Sequence, residues 1–434
     1  MEEILKRAKR VASEAEVYEV SYEETPVVFE ANRLKQLQTS QGTTVALRLI
    51  REGRLGFATA SGEVDPQKLV DMAVETSRFG TPARFRFPDP DAYPPIEVWD
   101  AEVEKVSLEA MTGLGESLIA QVRGHAPELV CQCHIIRAVA TRRLLNSQGG
   151  HAVYKRSVFS VELTGTLVRD TDMLFVSDVQ SSCHPIQEVA GMAQTIREQL
   201  ELSRRQARVS SGQMPVIFTP RGVASALIMP LTLAINGKVV LQGASPLANR
   251  LGEVVFDERL SLRDDATIPF RPHSRPCDDE GTPSRPIVLV ERGMPAGFLY
   301  DLQTAAQAGA SSTGSGLRSG GGMPSPSASA LVLEEGEAGF HDMVRDMKEG
   351  LVVEQLMGAG QGNVLGGEFS GNVLLGYKVE RGEIVGRVKD TMVSGNIYKA
   401  LREIIAVGDR ASWVGGALLA PHIYCARLAV ATKG

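Results

Sequence analysis

The sequence predicts a soluble α+β protein of two domains, and three observations lead there. The chain has 434 residues, too many for one small domain and comfortable for two. Hydrophobic residues make up 43% and charged residues 23%, near the globular average, which argues against disorder and against a long coiled coil. Segments of helical spacing alternate with segments of period two, so both element types are expected. With 43 glycines and 22 prolines against 5% aromatic residues, many turns join them. The formal net charge of −6 speaks against a nucleic-acid surface, because phosphate binding normally shows as a basic excess.

Taken in order, Ile4, Leu5, Ala8, Val11 and Ala12 give one apolar stripe and predict a helix over 3–13. Tyr18, Val20 and Tyr22 alternate with Glu19, Ser21 and Glu23, as in a half-buried strand. Val45, Leu47 and Leu49, the turn Glu52-Gly53, and then Leu55 and Phe57 read as a hairpin. Asp65-Pro66 starts a helix: the carboxylate caps free N–H groups and proline supplies the helical φ. Gly80 ends it, and residues 82–95 form a proline-rich connection. A helix from Ser107 turns Met111, Leu114, Leu118 and Val122 inward, and Phe159, Val161 and Leu163 mark a further strand. A long helix is expected from Glu188 to Arg208, with the domain boundary in VSSGQMP, giving domains 1–208 and 209–434. Beyond it come a strand (Val216 to Thr219), an apolar helix (Gly222 to Ile235), and an irregular stretch over 264–286. A strand at Ile287 to Glu291 and a helix near Phe298 to Ala308 follow, then the Gly/Ser run 309–329. A helix at His341 to Lys348, a hairpin at Arg381-Gly382 and a strand from Ile423 to Val430 complete the chain.

Several clusters invite a chemical reading. The run GASSTGSGLRSGGGMPSPSAS has glycines that let backbone approach a ligand, but no Walker lysine and no dinucleotide fingerprint. It is expected to be a mobile surface loop, with a lid or gate as the alternative. Cys131-Gln132-Cys133-His134 has the wrong spacing for a zinc knuckle, and on a strand the two thiols face away from the histidine. Cys183 and His184 are a nucleophile and a base by type, although sequence neighbours rarely meet as such a pair. His341, Asp342 and Asp346 read as a solvated face, and His422 has no evident partner. No Gly-x-Ser-x-Gly elbow occurs, and none of the seven histidines precedes a glutamate. From Leu202 through Gly252 there is no Asp, Glu, His or Cys. The helix in that window reads as apolar all round, hence buried on every side, and supplies neither a zinc ligand nor a general base. Five scattered cysteines, no apolar leader and no membrane-length run point to the cytoplasm with reduced thiols.

The run EANRLKQLQTSQGTTVALRLIREGRLGFATAS (30–61) resembles the opening of the TldD/PmbA family, once called modulators of DNA gyrase. The likeness continues in order through LLNSQG (144–149), STGSG (312–316), MKEGLVVEQLMGAGQGNVLGGEFSGN (347–372) and VERGEIVGRVKDTMVSGN (379–396). In that family, TldD-type chains carry His-Glu-x-x-x-His on the helix after the first C-terminal strand and are zinc metallopeptidases acting on unfolded peptides. PmbA-type chains, also called TldE, share the fold, lack the motif and pair with a TldD-type chain. Here the corresponding helix is 222–235, so no zinc ligand carries over. The STGSG segment and the Pro421-His422 dipeptide also resemble the PmbA branch.

The resemblance implies an N-terminal α/β domain with helices on a mainly antiparallel sheet. It also implies a largely antiparallel β C-terminal domain with a few helices, and a dimer enclosing a proteolytic chamber. Its functional implication is a non-catalytic subunit of a cytoplasmic metalloprotease complex that processes unfolded peptides. No cofactor is expected in this chain, and zinc is expected on a TldD-type partner. The partners implied are that metallopeptidase subunit, or a second copy of this chain, together with an extended peptide; nucleic acid and membrane are not among them. Ser312, Thr313, Gly314, Ser315 and Gly316 are the candidate peptide-contact loop. Two alternatives stay open: an independent enzyme using Cys183, His184 or His422, and a peptide-binding homodimeric scaffold without turnover. A role on DNA gyrase or DNA has least support, given the acidic balance.

Overall fold

The structure is a computed structural model describing residues 1–433. Its first half builds one sheet from β1 (Glu14–Glu30), β2 (Arg33–Leu37), β3 (Ser40–Arg51), β4 (Arg54–Ser61), β5 (Val130–Asn146), β6 (His151–Arg169) and β7 (Asp172–Ser182). The order is β4-β3-β1-β5-β6-β7, β2 pairs with β1, and every pairing is antiparallel. Helices α1 (Glu2–Ala8), α2 (Pro66–Ser77), α3 (Ala101–Lys105), α4 (Leu108–His125) and α5 (Ala190–Leu202) complete this half. Alternation along β1 explains the layering. Val17, Val27 and Phe29 point to the helices, whereas Glu16, Tyr18 and Val20 point to the opposite face. The hairpin turns where expected, with Glu52 and Gly53 both left-handed at φ 51° and 72°. Asp65 caps α2 through Gln67 N at 2.8 Å, and Ser107 caps α4 through Ala110 N at 3.1 Å.

Several helices are shorter than the sequence suggests, α9 among them, which begins at Leu302 rather than near Phe298. Helix α1 ends at Ala8, leaving Val11 exposed, and α5 ends at Leu202, so the basic residues to Arg208 lie beyond it. Beyond Leu202 the run Ser203 to Arg208 offers Ala207 as its one apolar side chain, so no stripe remains to hold a further turn.

The second half contains β8 (Gly212–Phe218), α6 (Pro220–Ala226), α7 (Ile228–Ala234), α8 (Gly237–Leu241), β9 (Leu262–Asp265), β10 (Pro286–Glu291) and β11 (Met294–Pro295). Then come α9 (Leu302–Ala308), β12 (Gly316–Leu317), β13 (Ser325–Pro326), β14 (Leu331–Leu333), α10 (Phe340–Asp346) and β15 (Glu349–Met357). The chain finishes with β16 (Glu368–Glu380), β17 (Glu383–Arg387), β18 (Thr391–Asn396), α11 (Ile397–Ala400), β19 (Ile404–Val414) and β20 (Leu418–Thr432). All but β12 and β13 join one sheet, which is largely antiparallel with two parallel pairings, β8 with β15 and β14 with β20. Five of its strands close on themselves, because β8 pairs with both β15 and β20 while β16 and β18 bridge those two. Such closure removes edges at the centre of the sheet.

The two halves share a core. On β8, Val216 and Phe218 face the helices α6 and α7, whereas Ile217 packs with Met192 and Ile196 of α5. Among the described residues, no helix is long and apolar enough to cross a membrane, and all five cysteines are buried and unpaired.

Candidate functional site

The segment 220–235 follows β8 but is two short helices rather than one. Thr219 caps α6 through Gly222 N at 3.3 Å and Pro220 sits at its first turn. The helix breaks at Leu227, and Pro230 removes an amide donor inside α7. The segment is also not buried on every side: Val223, Ala226, Leu227 and Leu231 are interior, but Met229 is 51% exposed. Gly222 is required by a close approach, since a Cβ there would stand 2.2 Å from the Val353 carbonyl on β15.

Around α6 the chemistry is that of a docked helix. Arg221 donates to the Ser177 carbonyl and hydroxyl on β7, and Ser225 Oγ accepts from Leu356 N at 3.1 Å. The acid nearest the start of α6 is Glu354 of β15, which accepts from Thr219 Oγ1 at 3.1 Å. Burial pushes its carboxyl up, against the opposing pull of Arg221 and Thr219. No local pattern marks Glu354, which lies 135 residues from its partner. A zinc site needs imidazole, thiolate or several carboxylates. The helices α6 and α7 offer a guanidinium, hydroxyls, a thioether and aliphatic groups, so these residues do not fit the metal. Among the described residues, no group of three or more His, Cys, Asp or Glu side chains is placed to hold one.

The alternative catalytic residues are not brought together. Cys183 is fully buried, which pushes its thiol up to about 11, the opposite of an activated nucleophile. His184 turns to Asp100, Nδ1 to Oδ2 at 2.7 Å, and stacks on Phe270 at 3.9 Å, so it is no base for Cys183. His422 stacks on Phe340 at 4.6 Å, and burial holds its imidazole down at about 4. Cys131 and Cys133 point into the core while His134 faces out, and His341, Asp342 and Asp346 are exposed.

The Gly/Ser run is not a mobile surface loop. Gly309 ends α9 in the left-handed region, and Thr313 Oγ1 both donates to the Tyr300 carbonyl at 3.0 Å and accepts from Tyr300 N at 2.7 Å. Gly316 N donates to Asp278 Oδ2 at 2.9 Å, Arg318 N donates to Asp279 Oδ2 at 2.9 Å, and β12 pairs with β13. A Cβ on Gly316 would lie 2.5 Å from the Glu280 carboxylate, so glycine is what lets the run cross the acids. Gly314, Ser315 and Gly316 are buried and Ser312 and Thr313 half-buried, while Gly309 to Ser311, Ser319, Gly320 and Met323 are exposed.

Under that run the two halves are tied by ionised groups, all buried. Arg48 of β3 donates to Glu280 Oε1 at 2.5 Å and to Glu16 Oε2 at 3.1 Å, with the Phe85 and Phe87 rings at 5.1 and 5.0 Å. Arg318 pairs with Glu16 and lies 5.1 Å over Tyr18, whose hydroxyl donates to Asp279 Oδ1 at 3.1 Å. Glu280 Oε2 also accepts Leu302 N at 2.7 Å, at the start of α9. Every carboxylate here has several donors, the condition under which a buried ion network is tolerated. The composition of 264–286 concealed it, because its partners in the first half lie more than 200 residues away.

Comparison with known proteins agrees with this architecture. The family profile described as PmbA/TldA metallopeptidase C-terminal domain matches residues 211–432, and that for PmbA/TldA metallopeptidase domain 1 matches 15–77. An uncharacterised protein of Methanocaldococcus jannaschii is 24% identical over 415 residues, 94% of this chain and 95% of its own. A metalloprotease of Methanothermobacter thermautotrophicus is 25% identical over 414 residues, covering 88% and 85%. The crystal structure of TldE from Thermococcus kodakarensis superposes with a TM-score of 0.90 at 22% identity, covering 99% of each chain.

Proposed function

The chain belongs to the PmbA/TldD metallopeptidase family, and from that premise we propose that it is the non-catalytic subunit of a TldD/TldE-type peptidase complex. The observation that carries this reading is α6–α7. The fold is kept over the whole length, while the helices after β8 hold no imidazole, thiol or carboxylate. Zinc and the general base would then reside on a TldD-type partner, and the chemistry such a metal would supply there is polarisation of the peptide carbonyl and an activated water. The residues of this chain do other work. Arg221, Ser225 and Gly222 seat α6 against β7 and β15, and the buried ion network fixes the two halves as one wall of the chamber. An extended peptide is guided along that wall in the cytoplasm, and folded proteins are excluded by size.

The test is reconstitution. The purified chain, a TldD-type partner and their mixture are assayed on an unfolded peptide with and without a zinc chelator. The reading expects chelator-sensitive cleavage only where the partner is present, and a change in rate or product pattern when this chain is added. Zinc-dependent cleavage by this chain alone overturns it.

A further inference from the structure

Between the two halves, beside the ion network, lies a cleft of about 520 Å³. Its floor is the face of the first sheet that carries Tyr18, Val20 and Arg142, and its roof is the turn through Ser319, Gly320 and Gly321. Charge is unbalanced inside it: Arg142, Arg156, Arg275 and Arg318 line it against a single carboxylate, Asp279. Asp279 and Arg318 are already engaged, with Tyr18 and with Glu16. Among the described residues, Arg142, Arg156 and Arg275 take part in no ion pair. Arg142 Nη1 and Arg275 Nε are buried without a hydrogen-bond partner, although Arg275 Nη2 reaches the Gly314 carbonyl at 3.2 Å.

Sheet register brings two of these three guanidiniums, Arg142 and Arg156, together. Arg142 stands opposite Tyr154, and Ala140 opposite Arg156, so the two arginines are diagonal neighbours on one face. Burial, and then the charge of Arg142, push Arg156 down to about 10. Burial, then Arg156, Arg275 and Arg142, likewise lower His273 at the same cleft. Four arginines share one carboxylate here, so positive charge is in excess, and an entering anion offsets it. Two planar forks side by side match the oxygens of a carboxylate or phosphate. Tyr18, Tyr22, Tyr154 and Met323 offer apolar surface for the body that carries it.

We propose that this cleft binds a small organic oxyanion, its carboxylate or phosphate held between Arg142 and Arg156 and its apolar body against the tyrosines. The site is independent of the subunit reading, since neither α6 nor α7 contributes to it. The free C-terminus of a short peptide and a phosphorylated small molecule present the same chemistry, and the ligand arms below separate them.

The experiment is calorimetric titration of the full chain with N-acetylphenylalanine, its carboxamide and inorganic phosphate, at low and high salt. Saturable binding of the acid, absent for the amide and weakened by salt, is expected; binding of phosphate alone assigns the site to phosphorylated ligands instead. Arg142→Gln and Arg156→Gln should each weaken binding roughly tenfold, and Arg142→Lys less, because it keeps the charge but loses the fork. Cooperative melting shows that each variant is folded, and Arg142→Lys serves as the reading if a Gln variant is not. Failure of both acid and phosphate to bind at millimolar concentration, equal binding of acid and amide, or unchanged binding by the folded variants would overturn the proposal.

Discussion

Two stretches of the second half carry opposite chemistry. From Leu202 through Gly252, including α6 and α7, there is no acid, histidine or thiol, and the helices are held by packing, a cap and one arginine. From Asp278 through Arg318, by contrast, buried acids and an arginine lock the second half to Glu16 and Arg48 of the first. The difference teaches that ionisable groups in this chain secure the junction between halves. Acids, histidines and thiols are missing from α6 and α7, the helices that follow β8.

The sharpest way to break that comparison is at the junction. Glu280→Ala leaves Arg48 and the Leu302 amide short of a partner in a buried setting, and should destabilise by about 3–5 kcal/mol in urea unfolding. A loss below about 1 kcal/mol would show the network to be solvated and dispensable. Next in size are the two tight glycines, one in each stretch. Gly316→Ala drives a methyl into the Glu280 carboxylate and Gly222→Ala drives one into the Val353 carbonyl, each expected to cost about 1–3 kcal/mol. If only Gly316→Ala is harmful, α6 is less firmly seated than its contacts suggest.

A pH experiment tests the burial of His422. Its pKa falls from an ordinary 6.5 to about 4 in the folded chain, so its contribution is intact above 6.5 and lost as pH drops toward 4. His422→Phe keeps the stack on Phe340 and should remove up to about 3 kcal/mol of acid sensitivity in that window, read as melting temperature against pH. An unchanged profile would place the acid sensitivity elsewhere. The smallest effect is expected from Thr219→Ala, which removes the cap of α6 and a donor to Glu354 for about 1 kcal/mol in thermal unfolding.

What the sequence made legible was local. The Glu52-Gly53 turn, the Asp65-Pro66 helix start and the alternation through Phe159, Val161 and Leu163 each reflect interactions within a few residues, and each appears in the structure. The absence of ligands after β8 was equally readable, because it concerns residue identity alone. Long-range pairing was not. Arg48 and Glu280 are separated by 232 positions, and the closure of β8 with β20 joins the two ends of the second half. The Gly/Ser run misled for the same reason. Its composition matches a loose loop, while Gly316 crosses buried carboxylates that local reading does not connect to it. The apolar window also hid a break at Leu227, since apolarity all round gives no phase by which to locate one.

The central claim is that this chain holds no catalytic metal of its own, and elemental analysis tests it most directly. Zinc per polypeptide is measured for the chain purified alone and for its complex with a TldD-type partner, after dialysis against zinc-free buffer. The account predicts zinc in step with the partner and none with the chain alone. One zinc per chain in the isolated protein would contradict it.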